Sequence, residues 1–337
     1  MANPPSISAE YRAACTHGGF IRRDDRGLLC VTGADRAAWL NNLVTNVVKT
    51  LAPGDGNYAF ATNVKGRVVF DLNILVLADR LWLDLDRRQI EKAVAHLNRY
   101  IITEDAKVED ITAQFQRIAG LGPQAVDLVT RLGFGNLAPM TQLQHVAGQI
   151  GGQETRMMRN DFTGLKAAEF FTSQKGLQQV ESAAKSAGFI AISPDCLEVL
   201  RIEAGIPRSI DDIDEEVVPP ETGQIERGIN YHKGCYLGQE VIERMRSHGS
   251  LARKLVGLRI EGDSLPPRGT AIQIADNEPR AQASGKTDVG RITSACWSEA
   301  LSAVLALGYV KTVYMKDGAQ FAVADRPASL VDLPVRK

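Results

Sequence analysis

Three side chains in this 337-residue sequence stand where their type and spacing could do chemistry. Cys235 lies in HKGCYLGQEVIERMR, between Gly234 and Gly238 and just ahead of a helix-like run, which places its thiol at or before a helix N-terminus. Such a terminus favours a thiolate. Residues 226 to 254 add a local excess of base, with Arg227, Lys233, Arg244, Arg246, Arg253 and Lys254 against Glu226, Glu240 and Glu243. The competing role is that of a small buried thiol.

Glu203 closes the stretch SPDCLEVLRIEAGIPR, where Ser193-Pro194 is a helix start and Gly205 with Pro207 a helix stop. Val199 and Cys196 lie four and seven residues before it, so its carboxylate projects from an apolar stripe. Burying a lone carboxylate is costly, so it must meet a donor: an arginine such as Arg201 or Arg208, or a ligand. The third residue is Asp71. In RVVFDLNILV the alternation of a strand places Val69, Asp71, Asn73 and Leu75 on one face and Val68, Phe70, Leu72, Ile74 and Val76 on the other. Asp71 and Asn73 form a polar island, either on a solvated outer face or in a pocket.

The elements that must position these groups alternate in an α+β order. GLLCVTG and YAFATN read as strands around a helical ADRAAWLNNLV, and RVVFDLNILVLADRLWLDLD reads as two strands turning at residues 78 to 80. RRQIEKAVAHLNRYI is an amphipathic helix. A second round follows, with a strand in FQRIAGL, a helix in QAVDLVTRLG, strands at 142–147, 154–159 and 167–172, and a helix in QKGLQQVESAAKSAG. Two α/β halves are therefore expected. After residue 250 the texture changes to short strand candidates separated by Gly, Pro and Asp turns, the signature of a small β-barrel or sandwich. The expected domains are 1–250 and 251–337. The acidic run DDIDEE at 211–216 reads as a solvated loop.

Composition excludes several classes. With 44% apolar residues the chain can bury two or three cores, and its formal charge of −1 gives no global pull toward nucleic acid or acidic lipid. It contains no run of 18 apolar residues, and its first residues lack a basic start and an apolar core, so no membrane or signal segment is expected and the cytoplasm is the expected location. The five cysteines (Cys15, Cys30, Cys196, Cys235, Cys296) are scattered and include no C-x-x-C pair, which argues for free thiols. His232 and Cys235 have half the spacing of a zinc site without a second half, so no metal is expected.

Three segments carry a resemblance. LRIEAGIPRSIDDIDEEVVPPETG is similar to the L-R-L-E-A-G-x-P run and following P-x-E-A-G of the glycine-cleavage T-protein family. YAFATNVKGRVVFDLNIL resembles its Y-T-x-x-L-N-x-x-G-G-x-x-D-D-L, and VGRITSACWSEALSAVLALGYV its C-terminal G-x-V-T-S to A-L-G-Y-V segment. The matches run in order over nearly the whole chain. They imply an α+β fold with a duplicated ferredoxin-like folate-binding domain followed by a small C-terminal β-barrel, and tetrahydrofolate or a one-carbon derivative as cofactor.

Where T-proteins tend to have K-x-D-F-I-G, this chain has Lys233-Gly234-Cys235-Tyr236-Leu237-Gly238, which resembles the K-G-C-[YF]-x-G-Q-E hallmark of the YgfZ branch. That resemblance implies a folate-binding factor supporting assembly or repair of iron-sulfur enzymes, including a tRNA-modifying one. Its partners would be folate and iron-sulfur client or assembly proteins, with no direct nucleic acid and no membrane. The alternative is a folate-dependent aminomethyltransferase of the glycine-cleavage type. By the same resemblance Glu203 would accept the pterin N–H groups, Tyr58 would form an aromatic wall, and Asp71 would assist one-carbon transfer. Lys233 and Arg244 would hold the negative folate tail or keep Cys235 as thiolate. Phe70 stands where the T-protein pair has its first aspartate, and the single remaining carboxylate argues against aminomethyl transfer.

Overall fold

The computed structural model describes residues 5–249, 251–274, 288–316 and 319–336. Helix α1 (Pro5–Thr16) leads into β1 (Gly19–Arg22), β2 (Arg26–Thr32) and α2 (Arg36–Asn41). Strands β3 (Gly56–Thr62), β4 (Val68–Val76) and β5 (Leu81–Asp86), helix α3 (Ile90–Asn98) and strand β6 (Lys107–Asp110) complete the first half. Its five-stranded sheet has the order β3-β4-β5-β2-β6. The second half contains β7 (Gln116–Leu121), α4 (Ala125–Arg131), β8 (His145–Ile150), β9 (Gln153–Arg159), β10 (Ala167–Thr172), α5 (Gln174–Ser186), β11 (Ile190–Ala191) and α6 (Pro194–Glu203). Its six-stranded sheet has the order β11-β1-β7-β10-β9-β8, so β1 leaves the first half to pair with β7, Gly19 opposite Leu121.

The two sheets face one another with helices outside. On one outer side Trp39 and Leu40 of α2 and Ile90, Ala93 and Leu97 of α3 pack on Phe70, Leu72 and Ile74 of β4. On the other, Leu128 of α4 and Leu177 and Val180 of α5 pack on Ile118, Met157 and Phe170. Between the sheets, Leu28, Phe60 and Trp82 meet Met158 and Phe171. Each fully buried side chain of this size contributes roughly 1.5–3 kcal/mol, so the layers are held chiefly by apolar contact.

Because β4 is covered on both sides, neither of its faces is solvated, and the polar island at Asp71 and Asn73 lies buried between the sheets. Period-two alternation identified the two faces correctly and could not tell that neither was wet. It also puts Phe70, 1% exposed, into the helix-side core with its ring edge against His96, on the opposite side of the strand from Asp71.

Helices α7 (Ile225–Gly228) and α8 (Gln239–His248) follow, and then a closed barrel of β12 (Arg253–Ile260), β13 (Ala271–Ile274), β14 (Asp288–Ser298), β15 (Ala303–Lys311), β16 (Phe321–Val323) and β17 (Arg326–Val331) in the order β12-β15-β14-β13-β16-β17. Ser250, where the expected domain boundary falls, lies outside the described residues. Val199 and Ile202 of α6 pack on Leu255, Leu305 and Leu307, joining the barrel to the second half.

The DDIDEE run is solvated only at Glu215 and Glu216, and its first four residues are not a solvated loop. Asp212 is buried and accepts from Arg201 Nη1 at 2.5 Å, Thr293 Oγ1 at 2.5 Å and Ser294 Oγ at 2.7 Å, and Asp214 pairs with Arg291 at 2.7 Å. The charges recruit barrel donors, and hydrophobicity alone did not reveal that.

Candidate functional site

A cavity of about 730 Å³ opens between the two sheets, beside a recess of about 100 Å³ with which it shares Tyr58, Asn73, Asn160, Ile206 and Arg227. Strands β3 and β4 present Tyr58 and Asn73 to both spaces and Asp71 to the recess, and Asn160 arrives from the second half just past β9. The segment 224–232 forms another wall with Gln224, Glu226, Arg227, Tyr231 and His232.

The Tyr58 hydroxyl donates to Asp71 Oδ2 at 2.9 Å, while Asp71 Oδ1 is buried without a hydrogen-bond partner. Burial, and then the Asp71 charge, push the Tyr58 pKa well above its ordinary value, so the phenol stays a donor. The Arg227 guanidinium sits 4.0 Å above the Tyr58 ring, a stacked cation that fixes the ring plane. An acceptor oxygen with no partner is costly to bury, and a ligand N–H at the recess would satisfy it.

Beneath the cleft, charge joins the halves. Asp84 of β5 accepts from Arg26 Nε and Nη2, both at 2.9 Å, and from Arg117 Nη1 at 2.5 Å. Arg117 Nη2 reaches Glu169 Oε2 of β10 at 2.5 Å, and Arg23 Nη1 reaches Glu169 Oε1 at 3.0 Å. Burial alone would raise the Asp84 pKa, but Arg117 and Arg26 outweigh it and hold the carboxyl below the usual range. Sequence reading missed this network. Its signal was charge inside otherwise apolar strands, Arg117 in QRIAGL and Glu169 in AAEFFT.

Glu203 does not line the cleft. It is fully buried at the end of α6, where Oε1 accepts from Ser298 Oγ at 2.6 Å and the Ala300 N–H at 3.1 Å, and Oε2 accepts from Tyr11 Oη at 2.7 Å and pairs with Arg336 Nε at 3.2 Å. The apolar stripe correctly announced a buried carboxylate that needs donors. Those donors are α1, the barrel and the C-terminal segment, in place of the expected pterin or of Arg201 and Arg208.

The KGCYLGQE loop is held by its backbone and by Lys233. Lys233 Nζ donates to the carbonyls of Asn41 at 2.5 Å, Val44 at 2.6 Å and Asn46 at 2.8 Å, where α2 ends, so it is spent on the fold and not on a folate tail. Burial, and secondarily Lys49, lower its pKa to about 7. The Leu237 N–H donates to Asn42 O at 3.0 Å, and Thr62 Oγ1 donates to Leu237 O at 2.5 Å. Gly238, at φ +80°, precedes α8, and a Cβ there would stand 2.5 Å from Asn63 O and 2.9 Å from Gly66 Cα, so only glycine fits. Tyr236 is buried against Ile229 and Ile242. Cys235 is exposed, three residues ahead of Gly238, and is not among the cleft-lining residues.

Arg244 is exposed on α8 and is likewise not among the lining residues. The arginines that line the larger cavity are Arg227 and Arg246, the latter 4.5 Å above the Tyr231 ring, and Arg23, Arg26, Arg201 and Arg208 join Arg227 at the recess. Among the described residues no group of three or more His, Cys, Asp or Glu side chains could hold a metal ion, and no helix is long and apolar enough to cross a membrane.

Comparison with known proteins agrees with this architecture. The GCVT N-terminal domain family matches residues 3–230, and the glycine cleavage T-protein C-terminal barrel domain family matches residues 253–335. The chain is similar to an aminomethyltransferase of Rubrobacter xylanophilus, 26% identical over 331 residues that cover 97% of this chain and 86% of that one. It is also similar to a probable aminomethyltransferase of Natronomonas pharaonis, 27% identical with 95% and 87% covered. Among solved structures, the glycine cleavage system aminomethyltransferase T of Bartonella henselae superposes with a TM-score of 0.85 at 18% identity, covering 99% of this chain and 91% of that chain, a likeness of fold.

Proposed function

Since the chain belongs to the glycine cleavage T-protein family, we propose that its inter-sheet cleft binds tetrahydrofolate, the cofactor of that family, and serves one-carbon chemistry of the aminomethyltransferase type. The observation that carries this reading is the buried, unpartnered Asp71 Oδ1 beside a cavity of about 730 Å³, within the range of small-molecule sites. Bound folate would supply the ring nitrogens that accept or release the carbon unit. The protein's part is to bind, orient and exclude water. Tyr58 holds Asp71 by one oxygen, so that the other can accept a ligand N–H or a proton, and Arg227 keeps the Tyr58 ring in place.

The absence of a second aspartate at position 70 does not weigh against transfer. A carboxylate there would point into the helix-side core, away from the cleft. The names of the relatives support the aminomethyltransferase reading, and of the carboxylates lining the recess Asp71 is the one with a buried oxygen left without a partner, whereas Asp25, Asp86 and Glu198 are paired with Arg23, Arg88 and Arg201.

A second reading is favoured by Cys235. Lys233, Tyr236, Leu237 and Gly238 all serve to fix the loop, yet its cysteine is turned to solvent. That arrangement, with the likeness to the YgfZ hallmark, supports a folate-binding factor for iron-sulfur enzymes in which Cys235 meets the client. One experiment separates the two. Incubation with an aminomethyl-lipoyl carrier protein and tetrahydrofolate should release ammonia and form methylenetetrahydrofolate. Failure of that turnover, together with loss of iron-sulfur enzyme activity in a deletion strain rescued by wild type but not by Cys235→Ser, would establish the second reading instead.

A further inference from the structure

Asn73 and Asn160 come from different halves, and both line the cavity and its recess. Asn73 Nδ2 donates to Asp84 Oδ2 at 2.7 Å, and Asn160 Nδ2 donates to Glu169 Oε1 at 2.7 Å. Arg117 closes the chain between them, with Nη1 on Asp84 Oδ1 and Nη2 on Glu169 Oε2, both at 2.5 Å. All five side chains are buried, yet Arg117 lines neither the cavity nor the recess. Each carboxylate also has an arginine on its own side of the seam, Arg26 on Asp84 and Arg23 on Glu169, and Arg23 is shared with Asp25. The remaining arginines of the recess are engaged elsewhere, Arg201 with Glu198 and Asp212, Arg208 with Glu198 and Asp211, and Arg227 on the Tyr58 ring. Among the described residues Arg117 is thus the side chain that bonds both carboxylates and, through them, both asparagines.

We propose, resting on the folate reading above, that Arg117 is a positioning residue which makes Asn73 and Asn160 meet a ligand as one unit. A carboxylate can only accept, so Asp84 and Glu169 fix which end of each amide turns toward the network. The guanidinium is a rigid planar fork whose two arms cannot adjust independently. Buried hydrogen bonds in a chain polarise one another, so removing either end weakens the rest. Displacing one asparagine therefore disturbs the other across the seam. Arg26 and Arg23 make no such link, because each holds the carboxylate of its own side and donates to none on the other.

A double-mutant cycle read by anaerobic calorimetry of the full chain with tetrahydrofolate tests this. Asn73→Ala and Asn160→Ala should each weaken binding at least about fivefold, the effect of one hydrogen bond. The double variant should fall short of the product of the two losses by at least about threefold. In an Arg117→Met background the losses should multiply. Arg117→Lys keeps the charge without the fork, so urea unfolding should find it more stable than Arg117→Met while the two asparagines stay uncoupled. A merely structural Arg117 would leave the coupling as wild type has it. Losses that multiply in wild type, or coupling that survives in Arg117→Met, overturn the inference and leave the folate reading standing. If wild type does not bind tetrahydrofolate, both fall. Should neither Arg117 variant fold, the side-chain amide resonance of Asn160 in unliganded Asn73→Ala decides: a shifted resonance supports the link, and an unmoved one overturns it.

Discussion

Tyr58 and Asp71 are cross-strand neighbours whose side chains form one unit: the phenol occupies Oδ2 at 2.9 Å and leaves Oδ1 buried and open. Asp71→Asn should weaken tetrahydrofolate binding by roughly 1.5–3 kcal/mol, the scale of a hydrogen bond to a charged group. Tyr58→Phe should cost less, and the double variant less than the sum, because each residue acts through the other. Calorimetry on the four proteins checks this, and strictly additive losses would mean that the two bind independently.

Glu203 should report on stability and not on affinity. Glu203→Ala removes the partner of Tyr11, Ser298 and Arg336 at once and should destabilise the chain by about 3–5 kcal/mol, as breaking a buried pair does. Urea unfolding measures that loss, and folate titration below the transition should give affinity close to wild type. A large affinity loss at unchanged stability would return Glu203 to the ligand site.

Lys233 makes stability depend on pH. Its folded pKa is about 7 against an ordinary 10.5, so between those values the unfolded chain binds more protons than the folded one. Stability from this group is fully present above 10.5 and is lost as pH falls through 7. Across pH 7 to 9 the unfolding free energy of wild type should therefore rise relative to Lys233→Met. A flat difference would show that the ammonium keeps its proton in the folded state, held by its three carbonyls.

Cys235 should alkylate first. Cys30, Cys196 and Cys296 are buried, and burial raises the pKa of all three, that of Cys196 to about 12, while Cys15 is half-buried. Brief iodoacetamide treatment followed by peptide mass spectrometry should label Cys235 ahead of Cys15, with the other three unmodified. Labelling of Cys235 no faster than Cys30 would mean that the loop shields its thiol.

Much of the fold was legible because its signals are local. Ser193 caps α6 and Pro194 follows it, as the dipeptide indicated, and the strands around Asp71 and the turn between β4 and β5 follow from alternation and turn residues. Helix α1 and strand β17 escaped notice. The 12-residue α1 carries no acidic residue in its first turn and no basic one in its last, so its termini give little sign of themselves. Function was harder to read, since periodicity reports that a charged group is buried and not what it meets. Glu203 meets Ser298, 95 positions away, and Arg117 meets Asp84 and Glu169 at separations of 33 and 52. Tyr58 and Asp71, diagonal neighbours across adjacent strands, were named together only through the family resemblance, and the hydrogen bond between them was not read.

Arg117 also decides where the chain can be divided. It stands on the second sheet, with one arm on a carboxylate of the first and the other on a carboxylate of its own. A cut between the halves would leave Asp84 with Arg26 as its one guanidinium partner on one fragment and a partly unpaired, buried Arg117 guanidinium on the other. Two α/β lobes that look like separable modules are thus a single electrical circuit, and fragment complementation across this seam would demand that both pieces meet before either is sound.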